Sequence, residues 1–89
     1  MISHATPKFW RCFRKLPDDV QQAAEQAFAL FERNPQHPSL RFKCVQAEAS
    51  VWSVRIGLHY RALGTREADE MVWFWVGTHA AYDQMLERM

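Results

Sequence analysis

The hydrophobic positions of residues 7–33 recur every three or four residues, a spacing that predicts two amphipathic helices. Thr6 is suited to cap the first helix, and Pro7 is suited to its first position. Pro17 ends this helix. Its apolar face carries Phe9, Cys12, Phe13 and Leu16.

The second helix is expected to begin with a cap at Asp18 or Asp19, whose negative charge also suits the helix dipole. Asn34 and Pro35 end it. Because the connection between the two helices is short, they should form an antiparallel hairpin.

Beyond residue 40 the apolar period changes to two, which predicts strands over residues 40–45, 51–56 and 60–65. Residues 71–76 (MVWFWV) are apolar throughout, as expected for a central strand covered on both faces and stopped by Gly77. Thr78 can then cap a C-terminal helix, and Ile2 to Ala5 could form a very short edge strand. The expected fold is α+β, with an N-terminal helical hairpin packed on an antiparallel meander of about four strands and a short C-terminal helix.

A tight turn at residues 57–59 places two arginines opposite each other. Pairing of Ile56 with Tyr60 across this turn sets Arg55 against Arg61 on one face of the sheet. Two like charges directly opposed destabilise a sheet. Such a pair either spreads its charges into solvent or binds an anion between them.

The 89 residues correspond to one domain. The four tryptophans indicate a hydrophobic core, and some of them could lie on a surface that binds a partner. No apolar run is long enough to span a membrane, and the N-terminus lacks the apolar core of a signal peptide, so a cytoplasmic protein is expected. Cys12 and Cys44 are expected to be reduced, packed thiols, and a disulfide between them stays open. No metal or other cofactor is expected, because metal-ligand spacing is lacking for the histidines His4, His37, His59 and His79.

Charge is unevenly distributed, although the net charge is only +1. Residues 1–17 carry four basic groups and no acid, and residues 35–66 carry five basic groups and one acid. Residues 18–34 and 67–89 are acidic, with four and five carboxylates against one arginine each. A basic face for nucleic acid and ordinary surface charge are both compatible with this pattern.

Three motifs in order resemble the RelE/ParE superfamily of small toxins from bacterial type II toxin–antitoxin modules. They are Asn-Pro-x-His-Pro-Ser-Leu at residues 34–40, Arg-Ile-Gly-x-x-Tyr-Arg at residues 55–61 and Gly-Thr-His at residues 77–79. The resemblance runs from about Phe9 to Leu86.

The resemblance implies a sheet packed on a helical hairpin, with a concave basic face and a cognate antitoxin that wraps the toxin. RelE-like members cleave mRNA on the ribosome without a metal, the 2′-hydroxyl attacking its own phosphate. ParE-like members inhibit DNA gyrase. Because cleaving members are usually more basic than +1, gyrase inhibition and a non-catalytic protein-interaction role stay open as alternatives.

By the same resemblance, Arg61 matches the arginine that contacts the scissile phosphate, and His79 matches a catalytic position. Lys43 matches a lysine of the catalytic face, and Tyr82 lies near a C-terminal aromatic position, where it could stack on a base or donate its hydroxyl. Arg55 matches a frequent basic residue. The expected phosphate-binding set is Arg41, Lys43, Arg55 and Arg61.

Independently of the resemblance, these side chains are suited to cleaving RNA by attack of its own 2′-hydroxyl on the phosphate. Arginine presents a planar fork matched to phosphate, and histidine can give or take a proton. We therefore expect Lys43, Arg55, Arg61 and His79 to converge on one face.

Each residue also has a plainer interpretation. The arginines could pair with acids of the 67–70 turn, His79 could only cap the last helix, and Lys43 could be a plain surface lysine. The tryptophans Trp52, Trp73 and Trp75 are expected in the core.

Overall fold

A five-stranded mixed sheet has helices on both faces in the computed structural model, which describes all 89 residues. The elements in chain order are β1 (Ile2–Ala5), α1 (Pro7–Arg14), α2 (Asp18–Arg33), a 3₁₀ helix (Pro38–Leu40), β2 (Lys43–Gln46), β3 (Val51–Ile56), β4 (Tyr60–Glu67), β5 (Glu70–Thr78) and α3 (His79–Arg88). The strand order is β1-β5-β4-β3-β2. The predicted α+β class is confirmed, and β1 adds a fifth strand that runs parallel to β5 beside the antiparallel meander.

The two N-terminal helices begin differently. Thr6 caps α1 as predicted, since its hydroxyl accepts a hydrogen bond from the backbone N–H of Phe9 at 3.1 Å. The expected aspartate cap of α2 is wrong, because Asp18 is already helical and no side chain caps this helix. Asp18 and Asp19 instead lie in the first turn, where their charge still favours the helix dipole.

The predicted strand at residues 40–45 begins later than expected. Residues 38–40 form the 3₁₀ helix, which Ser39 stabilises by donating its backbone N–H to His37 Nδ1 at 3.2 Å. Leu40 is buried, and Arg41 then takes a left-handed conformation with φ 45°. The strand therefore starts at Lys43, because a left-handed residue interrupts the extended backbone.

A β-bulge at Phe74 determines on which face of the sheet the tryptophans of β5 lie. Leu63 pairs with Trp75, whereas Gly64 pairs with Trp73, so Phe74 is the extra residue. Because of this extra residue, Trp73 and Trp75 lie on opposite faces of the sheet. Trp73 packs in the core beneath α1 and α2, and Trp75 packs against the core beneath α3.

Two other expectations for β5 are wrong. The strand continues through Gly77 to Thr78, because its last residues still pair with β4. It is not covered along its whole length either, since Val72 is 38% exposed.

Hydrophobic cores lie on both faces of the sheet. The larger core joins α1 and α2 to one face, and the fully buried Phe31, Val54 and Ile56 belong to it. The smaller core joins α3 to the other face through Val51, Leu63 and Tyr82. Helix α1 contacts α2 through the rings of Phe9 and Phe28, 5.7 Å apart.

Gly64 lies where β4 and β5 leave no room for a side chain. A Cβ atom there would come within 2.8 Å of the Trp73 ring and of the Val72 carbonyl oxygen. We expect Gly64→Ala to lower the free energy of unfolding by about 1–3 kcal/mol, the usual range for overpacking. Thermal unfolding followed by circular dichroism measures this, with exposed Thr65→Ala as the control. An unchanged melting temperature for Gly64→Ala would contradict this packing.

Candidate active site

The predicted pairing of two arginines is confirmed. Ile56 lies opposite Tyr60, and Arg55 lies opposite Arg61 across β3 and β4. Side chains of directly opposed residues are about 5 Å apart at their Cβ atoms. Both guanidinium groups therefore emerge together from the same face.

Arg41 is a third member of this cluster. Partial burial lowers the pKa of Arg61, and the positive charges of Arg55 and Arg41 lower it further. Tyr82 and Asp83 act on the Arg61 pKa in the opposite direction. The three arginines, Tyr82 and Asp83 therefore lie close enough to influence one another near the beginning of β4.

No carboxylate neutralises the arginines through an ion pair. The molecule has two ion pairs, His4 with Glu70 and His79 with Asp83, and neither contains an arginine or a lysine. Arg55 instead donates from Nε to the Gly57 carbonyl at 2.8 Å.

Arg61 likewise bonds to the backbone, donating from Nη1 to the Tyr60 carbonyl at 2.8 Å. The remaining donors of both guanidinium groups are free to bind an anion.

The proposed pairing of these arginines with the acids at residues 67–70 is wrong. Those acids flank the β4–β5 turn, whereas Arg55 and Arg61 flank the β3–β4 turn. Six residues of extended chain from Arg61 to Glu67 span about 20 Å, well beyond the screening length of about 8 Å in physiological salt. The low net charge of the protein therefore does not cancel the local positive charge of the cluster.

His79 is the first residue of α3 and has a carboxylate partner. Thr78 caps α3 by accepting the N–H of Ala81 at 3.1 Å, so His79 is not the cap. The backbone N–H of His79 donates to the His59 carbonyl at 2.7 Å, which ties α3 to the β3–β4 turn. His79 Nδ1 lies 3.1 Å from Asp83 Oδ2, and this contact places the ring proton on Nδ1 and leaves Nε2 open.

Tyr82 lies beneath this surface. It is 5% exposed, and its hydroxyl donates to Ser53 Oγ at 3.3 Å. Its ring contacts the His79 ring edge-on, with centroids 5.6 Å apart. In this arrangement Tyr82 holds α3 against the sheet, and its buried ring offers no face on which a base could stack.

Lys43 shares the face but lies at its margin. It is exposed on the edge strand β2 and pairs with Ser53 of β3, so it lies two strands away from Arg61 of β4. Lys43 is not among the charges that perturb the Arg61 pKa. The structure therefore brings Arg41, Arg55, Arg61 and the His79–Asp83 pair together, with Lys43 at the edge of the same face.

Two neighbours of the cluster were missed from the sequence. Trp75 lies over Gly77, because a Cβ atom on Gly77 would come within 2.6 Å of the indole ring. Since Gly77 pairs with Arg61, the indole lies beside the arginine cluster. The second is Asp83, whose spacing of four residues from His79 on a helix was the available signal.

Arg66 belongs to the other face of β4. Its guanidinium carbon lies 4.7 Å from the centroid of the Trp52 ring and 5.7 Å from that of Phe42. These cation–π contacts make Arg66 a structural arginine.

The structure contains no group of three or more histidine, cysteine, aspartate or glutamate side chains able to hold a metal ion. Cys12 and Cys44 are both free. Cys12 is half-buried, but the expectation of a packed thiol is wrong for Cys44, which is exposed on the edge strand β2. No helix is long and apolar enough to cross a membrane.

These features define a small α+β protein with an arginine cluster that has no carboxylate ion partner and an adjacent histidine at one end of its sheet. The ParE-like toxin domain model matches residues 18–84, and the chain belongs to this family, within the RelE/ParE superfamily of toxins.

Solved structures have the same fold. The toxin–antitoxin complex RelBE2 from Mycobacterium tuberculosis contains a chain that is 27% identical, with a TM-score of 0.69, covering 88% of this chain and 96% of that one. The RelB–RelE complex from Methanococcus jannaschii gives a TM-score of 0.73 at 11% identity, covering 92% and 96%. YafQ from E. coli gives 0.69 at 11% identity, covering 90% and 94%. No curated protein sequence matches the chain.

Proposed function

We propose that this protein is the toxin of a type II toxin–antitoxin module and acts as a metal-independent, ribosome-dependent mRNA endonuclease of the RelE type. The carrying observation is the cluster of Arg41, Arg55 and Arg61, which has no carboxylate ion partner and lies beside His79. A site of this composition fits a phosphate and supplies a group that can move a proton.

In the proposed reaction the 2′-hydroxyl attacks the adjacent phosphorus, the bond to the 5′-oxygen breaks, and a cyclic phosphate forms. Arg61 and Arg55 neutralise charge on the non-bridging oxygens, where fixed positive groups stabilise the transition state most effectively. His79 takes the proton of the attacking 2′-hydroxyl through Nε2, because Asp83 occupies its Nδ1, and water supplies the proton with which the 5′-oxygen leaves as a hydroxyl.

Two further residues complete the proposed site. Lys43 adds a positive charge at the margin of the same face, where it can contact a neighbouring phosphate. Tyr82 positions Ser53 and α3 beneath the substrate through its buried hydroxyl.

Purified protein added to a cell-free translation reaction tests this function. We expect new mRNA ends within codons held by the ribosome and no cleavage of the same RNA without ribosomes. A DNA gyrase supercoiling assay tests the alternative target. Inhibition of gyrase together with intact mRNA would contradict the proposal.

The family resemblance and the toxin–antitoxin complexes among the similar structures support a cognate antitoxin as the partner. An apolar groove of about 440 Å³ between α1, α2 and β1 offers a docking surface. Trp10, 45% exposed, lies in this groove together with Phe13 and Phe28.

Charge indicates which kind of segment fits the groove. Glu25 and Glu32 lie at its rim, exposed and without ion pairs. An amphipathic antitoxin helix with apolar anchors and flanking basic residues is complementary to this surface.

We expect Trp10→Glu to weaken antitoxin binding at least tenfold, because it removes an aromatic anchor and adds a third negative charge to the groove. Calorimetric titration with the product of the adjacent gene measures this. Val72→Ala, an exposed apolar position outside the groove, is the control and should bind normally. Equal affinities for Trp10→Glu and the wild-type protein would exclude the groove as the antitoxin site.

A further inference from the structure

A second cavity of about 440 Å³ opens next to Arg55, one member of the arginine cluster. It lies between α2, the 3₁₀ helix and the β3–β4 turn, and Arg55 forms part of its wall. Its volume falls within the range of about 300–1,000 Å³ that is usual for small-ligand pockets. The cavity is therefore large enough for one nucleotide next to the phosphate site.

The walls of this cavity are mainly aliphatic. Ala23, Ala27 and Leu30 line it from α2, and Leu58 lines it from the turn. Leu58 is 70% exposed at the tip of the turn. Apolar side chains of this kind can pack against a base that has been turned out of its strand.

Few polar side chains line the cavity, and among them only the Gln26 amide has no hydrogen-bond partner within the protein. Gln26 is exposed and its side chain makes no hydrogen bond within the protein, whereas the hydroxyl of Ser39 is bonded to His37 Nδ1 at 2.8 Å. No carboxylate lines the cavity. An approaching phosphodiester therefore meets the Arg55 guanidinium and no negative charge.

We propose that this cavity holds one base of the RNA whose phosphate is bound by Arg55 and Arg61, and that Gln26 reads this base as adenine. The inference rests on the proposed RNA-cleaving function and adds to it a sequence preference next to the cut. Because Arg55 is shared by the cavity and the arginine cluster, the phosphate and the base belong to the same or to adjacent nucleotides.

Adenine follows from the chemistry of the amide. A glutamine side chain presents one acceptor and two donors, which match the N6 amino group and the N7 acceptor of adenine in a bidentate pair. Bases of single-stranded RNA expose this edge once they are unstacked. Guanine presents two acceptors at the same edge, so a single amide cannot satisfy both in this way.

An mRNA library randomised around one codon, cleaved in a cell-free translation reaction and sequenced at its new ends, tests the proposal. The wild-type protein should enrich adenine about tenfold at one position next to the cut, the typical discrimination of a bidentate pair. Gln26→Leu should remove this enrichment while total cleavage changes less than about threefold. Gln26→Arg should move the preference to guanine, whose O6 and N7 atoms match a guanidinium.

Gln22→Leu is the matched control, since Gln22 lies one turn earlier on α2, is exposed and does not line the cavity. It should keep the wild-type preference. Cleavage with an unchanged adenine preference in Gln26→Leu, or with no base preference in the wild-type protein, would overturn the base site and leave the proposed function standing. Absence of RNA cleavage by the wild-type protein would overturn both. Loss of antitoxin binding in Gln26→Leu with unchanged cleavage would assign the cavity to the protein partner instead.

Discussion

Arg61→Ala is expected to abolish growth arrest when the protein is expressed without its antitoxin. Arg61 lies at the centre of the cluster. It is half-buried, and the positive charges of Arg55 and Arg41 lower its pKa. Loss of one preorganised charge-stabilising contact costs about 3 kcal/mol in the transition state, roughly a hundredfold in rate. Colony counts on inducing medium and the rate of mRNA cleavage in vitro measure the effect.

The same change should not destabilise the fold. Arg61 opposes another arginine across the strands, and its lowered pKa shows that the folded protein disfavours its charge. Removing that charge relieves repulsion, so the melting temperature should stay the same or rise. A loss of toxicity without a loss of stability separates a functional residue from a structural one.

Arg66→Ala is the matched control for Arg61→Ala. Arg66 lies on the same strand but points to the opposite face, over Trp52. This variant should lose stability by about 0.5–1 kcal/mol, the value of an exposed cation–π contact, and remain toxic. Full toxicity of Arg61→Ala, or loss of toxicity in Arg66→Ala with an intact fold, would contradict the assignment of the site.

His79→Ala is expected to lower the rate of mRNA cleavage by about 10²–10⁴-fold, the usual contribution of a positioned general acid or base. Nδ1 of His79 is held by Asp83, and Nε2 is the nitrogen left for the substrate. Single-turnover cleavage on programmed ribosomes measures the rate without interference from ribosome binding. The fold should be unaffected, because the His79 side chain is nearly half exposed.

His4→Ala serves as the control for His79→Ala. His4 also pairs with a carboxylate, Glu70, at 2.8 Å, but on the edge strand β1. Cleavage by this variant should equal that of the wild-type protein. If His79→Ala remained toxic while Arg61→Ala did not, the result would favour gyrase as the target, because inhibition by binding needs no proton transfer.

Local sequence patterns predicted most of the fold and the centre of the site. The tight turn at residues 57–59 fixed the strand register, and that register placed Arg55 opposite Arg61. Thr78 was predicted as the cap of α3, and its hydroxyl performs that role. These features depend on residues close together in the chain, where period and turn chemistry carry the information.

Features set by distant contacts could not be predicted in this way. The bulge at Phe74 follows from packing Trp73 and Trp75 on opposite faces, which the uniformly apolar run MVWFWV does not reveal. Leu40 fits an alternating strand pattern, but it is the last residue of the 3₁₀ helix and is buried in the larger core from there.

Tyr82 is a similar case within the site. The family resemblance suggested a residue in contact with the substrate, and only the packing of α3 shows that its ring is buried and its hydroxyl bonded to Ser53.

Removal of one 2′-hydroxyl from the mRNA tests the proposed reaction most directly. The cut position is first mapped on an all-ribose message in the cell-free translation reaction, and the nucleotide on its 5′ side is then replaced by its 2′-deoxy form. Because that hydroxyl is the proposed nucleophile, cleavage at this position should disappear, while the unmodified message should yield a 2′,3′-cyclic phosphate end. Cleavage of the deoxy-substituted message at the same position and rate would contradict the proposed reaction.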